Sequence, residues 1–185
     1  VSDPITAKDL INKIKSFDYD FEPGSQWSYS NSGYFILGDI VEQVSGKTLS
    51  QFWQEQLFTP LDMKNTGVYI NGIAYTNEAL GYGYDKNETK RVIDWDMSHA
   101  GGAGNIYSTV EDLFTWNEAL FNGKVLSTSS FEDITTKAKL NDEEYVNVFG
   151  NSSYGLGIGL SELFGKKVVS HSGGLHGFSS YLGRV

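Results

Sequence analysis

Two short runs hold side chains that could do chemistry together. Tyr29-Ser30-Asn31 supplies a phenol, a hydroxyl and a carboxamide in three positions. His171-Ser172-Gly173-Gly174 supplies an imidazole and a hydroxyl ahead of two glycines. An imidazole changes charge near neutral pH, a carboxamide both donates and accepts hydrogen bonds, and a hydroxyl can do either. Tyr and Asn are indifferent helix formers, so local propensity does not call for them at the mouth of the apolar run that follows. Taken singly, each run has a plain explanation. The first would be a turn with a helix cap, the second a loop closing a hairpin.

Other chemistries drop out. Val44-Ser45-Gly46-Lys47-Thr48 resembles the end of a phosphate loop, but the position that needs glycine is Val41, and a helix C-terminus explains the segment better. There is no G-x-S-x-G nucleophile elbow. The chain has no cysteine and three histidines, His99, His171 and His176, without zinc-site spacing. No metal or other cofactor is therefore expected, and His99 and His176 read as hydrogen-bonded loop residues. A net charge of −9 without a Lys/Arg cluster excludes a nucleic-acid partner and disfavours an acidic membrane surface. No apolar run approaches membrane-spanning length. A small-molecule or peptide substrate fits this balance.

The elements that must position the two runs can be read from periodicity. Leu10, Ile11 and Ile14 lie on one face of a short amphipathic helix within 6–17. Pro23-Gly24 is a turn. Tyr34, Phe35, Leu37, Ile40, Val41 and Val44 cover more than a narrow stripe, so the helix after Asn31 is expected to be buried on most sides. Asn31 or Ser32 would cap it and Gly46 would end it. A further helix is expected over 49–58, then loops and short strands over 63–107. Next comes a helix with a Ser108/Glu111 capping box and Leu113, Trp116, Leu120 and Phe121 on one face, stopping at Gly123. From Tyr154 to Leu160 apolar residues alternate with glycines, which reads as one strand whose glycine face admits close neighbours. Gly165-Lys166 reads as a hairpin turn, and KVVSHSGG and GFSSYLGRV, residues 167–174 and 177–185, read as two more strands. Helices first and a meander last give an α+β fold class.

Five blocks, in order, resemble the serine β-lactamase and penicillin-binding-protein superfamily, nearest its class C branch with the related esterases and D-alanyl-D-alanine carboxypeptidases. They are FEPGSQWSYSNSGYFILGDIVEQVSG, LFTPLDMKNTG, GGAGNIYSTVEDLFTW, YGLGIGL and HSGGLHGFSSYL. The resemblance implies a β-lactamase/transpeptidase-like fold: a helical and loop part over 1–125 with the Tyr-Ser-Asn motif, and antiparallel strands over 150–185 with the His-Ser-Gly motif, as one domain whose sheet is incomplete in this chain. It also implies a serine hydrolase that attacks an amide, lactam or ester through an acyl-enzyme. In that family the tyrosine of the second motif helps as general base, and it matches Tyr29. Asn31 matches the asparagine that binds substrate and the catalytic lysine. His171 stands where the family has lysine, Ser172 would donate to substrate, and Gly173 and Gly174 would let substrate lie against the strand, with the Gly174 N–H in an oxyanion hole.

The family's nucleophile lies in a Ser-x-x-Lys motif. None of the twelve lysines here has a serine three residues before it. The expectations are a fragment truncated at both ends and inactive alone, strand edges left open to a second copy, and, from the resemblance, an extracytoplasmic bacterial setting. The alternative is a ligand-binding module for a peptidoglycan-like peptide or a small ester. In either case folding must bring Tyr29 and Asn31 close to His171.

Overall fold

A computed structural model describes residues 3–93, 95–148 and 152–185. In chain order come α1 (Ala7–Ile14), α2 (Asn31–Ser45), α3 (Leu49–Trp53), β1 (Gly67–Val68), β2 (Tyr82–Asp85), β3 (Glu88–Arg91), β4 (Ile106–Tyr107), α4 (Val110–Phe121), α5 (Thr128–Ile134), β5 (Ser153–Tyr154), β6 (Gly159–Leu163), β7 (Lys166–Leu175) and β8 (Phe178–Arg184). The class is α+β, as the order of patterns implied. β1 pairs with β4, β2 with β3, and the last four strands form one sheet in the order β5-β6-β7-β8. The chain divides into two compact units. One holds residues through Asp18, Ser30–Thr109 and Gly173–Ser180; the other holds Tyr19–Tyr29, Val110–Ser172 and Tyr181–Val185.

The first unit is built on α2. Ser30, in extended backbone, accepts a hydrogen bond from the Gly33 amide at 3.1 Å and is the cap. Asn31 and Ser32 were the expected caps; they already have helical backbone, which a cap does not. Gly46 ends the helix in the left-handed region at φ 67°. α3 begins on a capping box between Thr48 and Gln51 and passes into a π-helical turn, Gln54–Phe58. Phe35, Leu49, Phe58, Met63 and Met97 are the buried apolar residues of this unit. Each contributes roughly 1.5–3 kcal/mol by leaving water. α2 lies close on the Gly101–Ala103 turn: a Cβ at Gly38 would sit 2.9 Å from the Gly102 nitrogen. Burial on most sides is not what the structure shows. Only Phe35 and Gly38 of α2 are buried, and Val44 is 85% exposed. Apolar composition around a helix creates the demand for neighbours, but one face alone is met here.

The second unit packs Ala119, Leu120, Val146, Leu160, Val168 and Val169. α4 starts at Val110, later than a Ser108 cap would place it; the Ser108 hydroxyl instead shares a 2.7 Å hydrogen bond with Thr66. α5 had no counterpart in the sequence reading, because four consecutive polar residues at its start hide its period. Ser127 caps it by accepting from Ser130 N.

The glycine-alternating stretch is a hairpin and not one strand. β5 pairs with β6 through Ser153↔Leu160 and Tyr154↔Gly159, and the Gly155 amide donates to the Ile158 carbonyl across the turn. Gly157 has φ 76°, which turns the chain where a two-residue period alone would have kept it straight. The close-neighbour role holds at Gly155, where a Cβ would run into the Ile134 carbonyl at the end of α5. The next turn is Phe164-Gly165, one residue before the expected pair: Leu163 faces Lys166, and both turn residues have positive φ. His171 to Gly174 lie inside β7, so the hairpin loop first suggested for them falls at His176-Gly177.

Candidate active site

In the second unit a folded-back segment carries Tyr29. Pro23-Gly24 turns it, with Gly24 at φ 80°. Asn141 then grips the turn twice: its Nδ2 donates to the Pro23 carbonyl at 3.0 Å and its backbone N–H to the Gly24 carbonyl at 2.9 Å. Any side chain at Gly24 would occupy the space of the Asn141 carboxamide. The Trp27 ring rests against Tyr154, with centroids 5.2 Å apart. This leaves Tyr29 facing the sheet.

The Tyr29 and His171 rings stack, with centroids 6.1 Å apart and planes at 30°. Tyr29 is 54% exposed and His171 is half-buried. Both imidazole nitrogens are engaged. Nδ1 lies 2.6 Å from the Ser172 carbonyl oxygen, and Nε2 lies 2.8 Å from the Tyr154 hydroxyl. Tyr154 meets the imidazole edge-on, at 6.0 Å and 71°. The register explains the meeting: Tyr154 pairs with Gly159 and Gly159 pairs with Ser170, so only a glycine separates Tyr154 from the strand of His171.

The remaining residues singled out from the sequence occupy known positions in the fold. Ser172 follows His171 in β7 and is exposed. Asn31 is the first residue of α2, exposed, in the first unit. Gly173 and Gly174 continue β7 within the first unit. A Cβ at Gly174 would meet nothing, whereas one at Gly173 would collide with the Ser180 hydroxyl. His99 bonds through Nε2 to the Asp3 carbonyl at 2.9 Å, and His176 packs edge-on against Trp95. Among the described residues no three His, Cys, Asp or Glu side chains converge as a metal site would need. Among the described residues no helix is long and apolar enough to cross a membrane.

Chemically, the second unit offers two phenols on one imidazole: one stacked on its face, one bonded to its nitrogen. Such a group can share protons and orient a carbonyl. Tyr154 and Trp27 escaped the sequence reading. Tyr154 stood in an apolar alternation that resembled core, and its partner became visible only once the β5–β6 turn was known.

Comparison with known proteins places this architecture. The sequence profile of the family described as Beta-lactamase matches residues 2–185. Penicillin-binding protein 4* of Bacillus subtilis (strain 168) is 31% identical, over 88% of this chain and 38% of that protein. The D-aminopeptidase of Brucella anthropi is 29% identical, over 95% of this chain and 32% of its own length. A D-stereospecific amidohydrolase from a Streptomyces species superimposes with a TM-score of 0.84 at 30% identity, over 98% of this chain and 53% of the other. The D-amino acid amidase of Ochrobactrum anthropi SV3, in complex with D-phenylalanine, gives 0.77 at 25% identity. The chain thus spans about a third to two fifths of the length of these two curated relatives.

Proposed function

This chain belongs to the β-lactamase family, whose members are serine hydrolases, and on that premise we propose that it is the motif-two and motif-three part of an acyl-enzyme hydrolase acting on an amide, lactam or ester. Tyr29 takes the proton of an attacking serine, Asn31 binds the substrate amide, and His171 supports Tyr29. Ser172 donates to a substrate carbonyl or carboxylate. Gly173 and Gly174 leave the strand edge open to the substrate backbone. The observation that carries this is the stack of Tyr29 on His171, which joins two motifs far apart in the chain. The D-aminopeptidase and the D-stereospecific amidohydrolase among the relatives favour amides of D-amino acids as the substrate class.

The test uses a longer chain that carries these residues together with a Ser-x-x-Lys motif. Incubation with a fluorescent penicillin should add the mass of one acyl group. Tyr29→Phe should slow that acylation. Acylation at an unchanged rate in Tyr29→Phe would remove Tyr29 from the mechanism.

A second reading is a ligand-binding module that does no chemistry. It is favoured by the lack of any serine three residues before a lysine in these 185 residues. Under both readings the 185 residues alone should leave a chromogenic cephalosporin and a p-nitrophenyl ester intact. Hydrolysis above buffer would show a nucleophile that neither reading contains. We also infer that two copies associate through the β8 edge of the sheet, since an edge strand can recruit another chain.

A further inference from the structure

The environment of the His171 ring constrains where its protons can be. A backbone carbonyl only accepts hydrogen bonds, so the 2.6 Å contact between Nδ1 and the Ser172 oxygen requires a proton on Nδ1. In the neutral ring Nε2 is then bare and must accept, and the Tyr154 hydroxyl, 2.8 Å away, is the donor. A neutral imidazole free of such constraints favours the opposite tautomer, with the proton on Nε2. The two contacts together work against that preference. Tyr154 is itself held in place, its ring against Trp27 at 5.2 Å and its backbone paired with Gly159.

The contact at Nδ1 reaches beyond the ring. The peptide joining Ser172 to Gly173 is planar and trans, so its carbonyl and the Gly173 N–H point in opposite directions. Fixing the carbonyl against Nδ1 therefore fixes the direction of the Gly173 N–H. Gly173 is one of the two glycines assigned above to the substrate edge.

We propose that Tyr154 is a positioning residue: its hydroxyl holds His171 as the Nδ1–H tautomer and, through the imidazole, sets the orientation of the Ser172–Gly173 peptide. The part of this that concerns substrate rests on the function proposed above; the tautomer does not. His171 in this state is a neutral bridge with both nitrogens occupied. A second proton on the ring would turn the Tyr154 oxygen from donor to acceptor.

Long-range proton–nitrogen correlation spectra of the uniformly ¹⁵N-labelled chain read the tautomer directly. His171→Asn identifies the His171 signals by their loss. At a pH where the ring is neutral, Nδ1 should resonate as a protonated nitrogen and Nε2 as an unprotonated one. In Tyr154→Phe, which keeps the ring and removes only the hydroxyl, the two signals should move toward each other or exchange. The Gly173 amide should shift with them. Wild-type signals of the Nε2–H form would overturn the proposal, as would a Tyr154→Phe spectrum with the tautomer unchanged. Should Tyr154→Phe fail to fold, the wild-type tautomer still decides. Loss of acylation in Tyr29→Phe concerns the function alone, so the two proposals can fail separately.

Discussion

The Tyr29 ring faces the His171 imidazole at 6.1 Å and remains half in water. The proton-transfer role proposed for Tyr29 is tested at this residue. In a chain that also carries Ser-x-x-Lys, Tyr29→Phe should lower kcat/KM by about 10²–10⁴-fold, the range of general acid–base contributions; a loss under tenfold would make the phenol a bystander. A second residue-level prediction concerns Asp96, which caps the Met97–His99 turn. Its carboxyl is held below the ordinary carboxylate range, first by the Ser98 side chain, then by the Ser98 amide, with a smaller pull from His99. A depressed folded-state value gives stability that is present above the unfolded value and lost as pH falls through the folded one. Melting temperature should therefore fall on acidification below about pH 4, and less steeply in Asp96→Asn. Parallel acid limbs in the two proteins would contradict this. The meeting of Tyr29 with His171 was legible in the sequence because the two motifs that carry them stand in a distinctive order along the chain. Tyr154 was not, since its importance depends on a partner that only the strand register reveals.

At the scale of elements, α2 and α4 could be read because a 3.6-residue apolar period ending in glycine has few other interpretations. The stretch from Tyr154 to Leu160 could not. Glycine at every second position satisfies both a strand with one bare face and a tight turn, and only Gly157 at φ 76° decides between them. The carbonyl of Ile134 gives this hairpin its fixed place, accepting from the Leu156 amide at 3.1 Å and filling the space beside Gly155. Gly155→Ala should cost about 1–3 kcal/mol, the usual penalty of overpacking a filled site. Gly174→Ala, with open space around it, should cost much less. Denaturant midpoints would measure both; equal losses would mean that strand conformation, and not the Ile134 contact, sets the cost. The Ser30 cap is a smaller lever, and Ser30→Ala should remove about 1 kcal/mol.

For the whole molecule, the four-stranded sheet ends on β5 at one side and β8 at the other. β8 carries Tyr181, which is 67% exposed. A reversible dimer at high concentration is the expected outcome in sedimentation, and Tyr181→Lys should weaken it by adding charge along that edge. A monomer across the whole concentration range would end the idea. The family architecture was legible from five blocks in order; the division into two compact units was not, because each unit is assembled from three separated segments. That discontinuity has a kinetic consequence at the Asn141 clamp. Asn141 and Pro23 are 118 positions apart in sequence, so the bond between them can form only after a long loop has closed, a step paid for in chain entropy. The segment bearing Tyr29 should be among the last to dock during folding. Asn141→Ala should then speed unfolding and leave the folding rate almost untouched. The proposed catalytic phenol would thus arrive after the scaffold that receives it has formed.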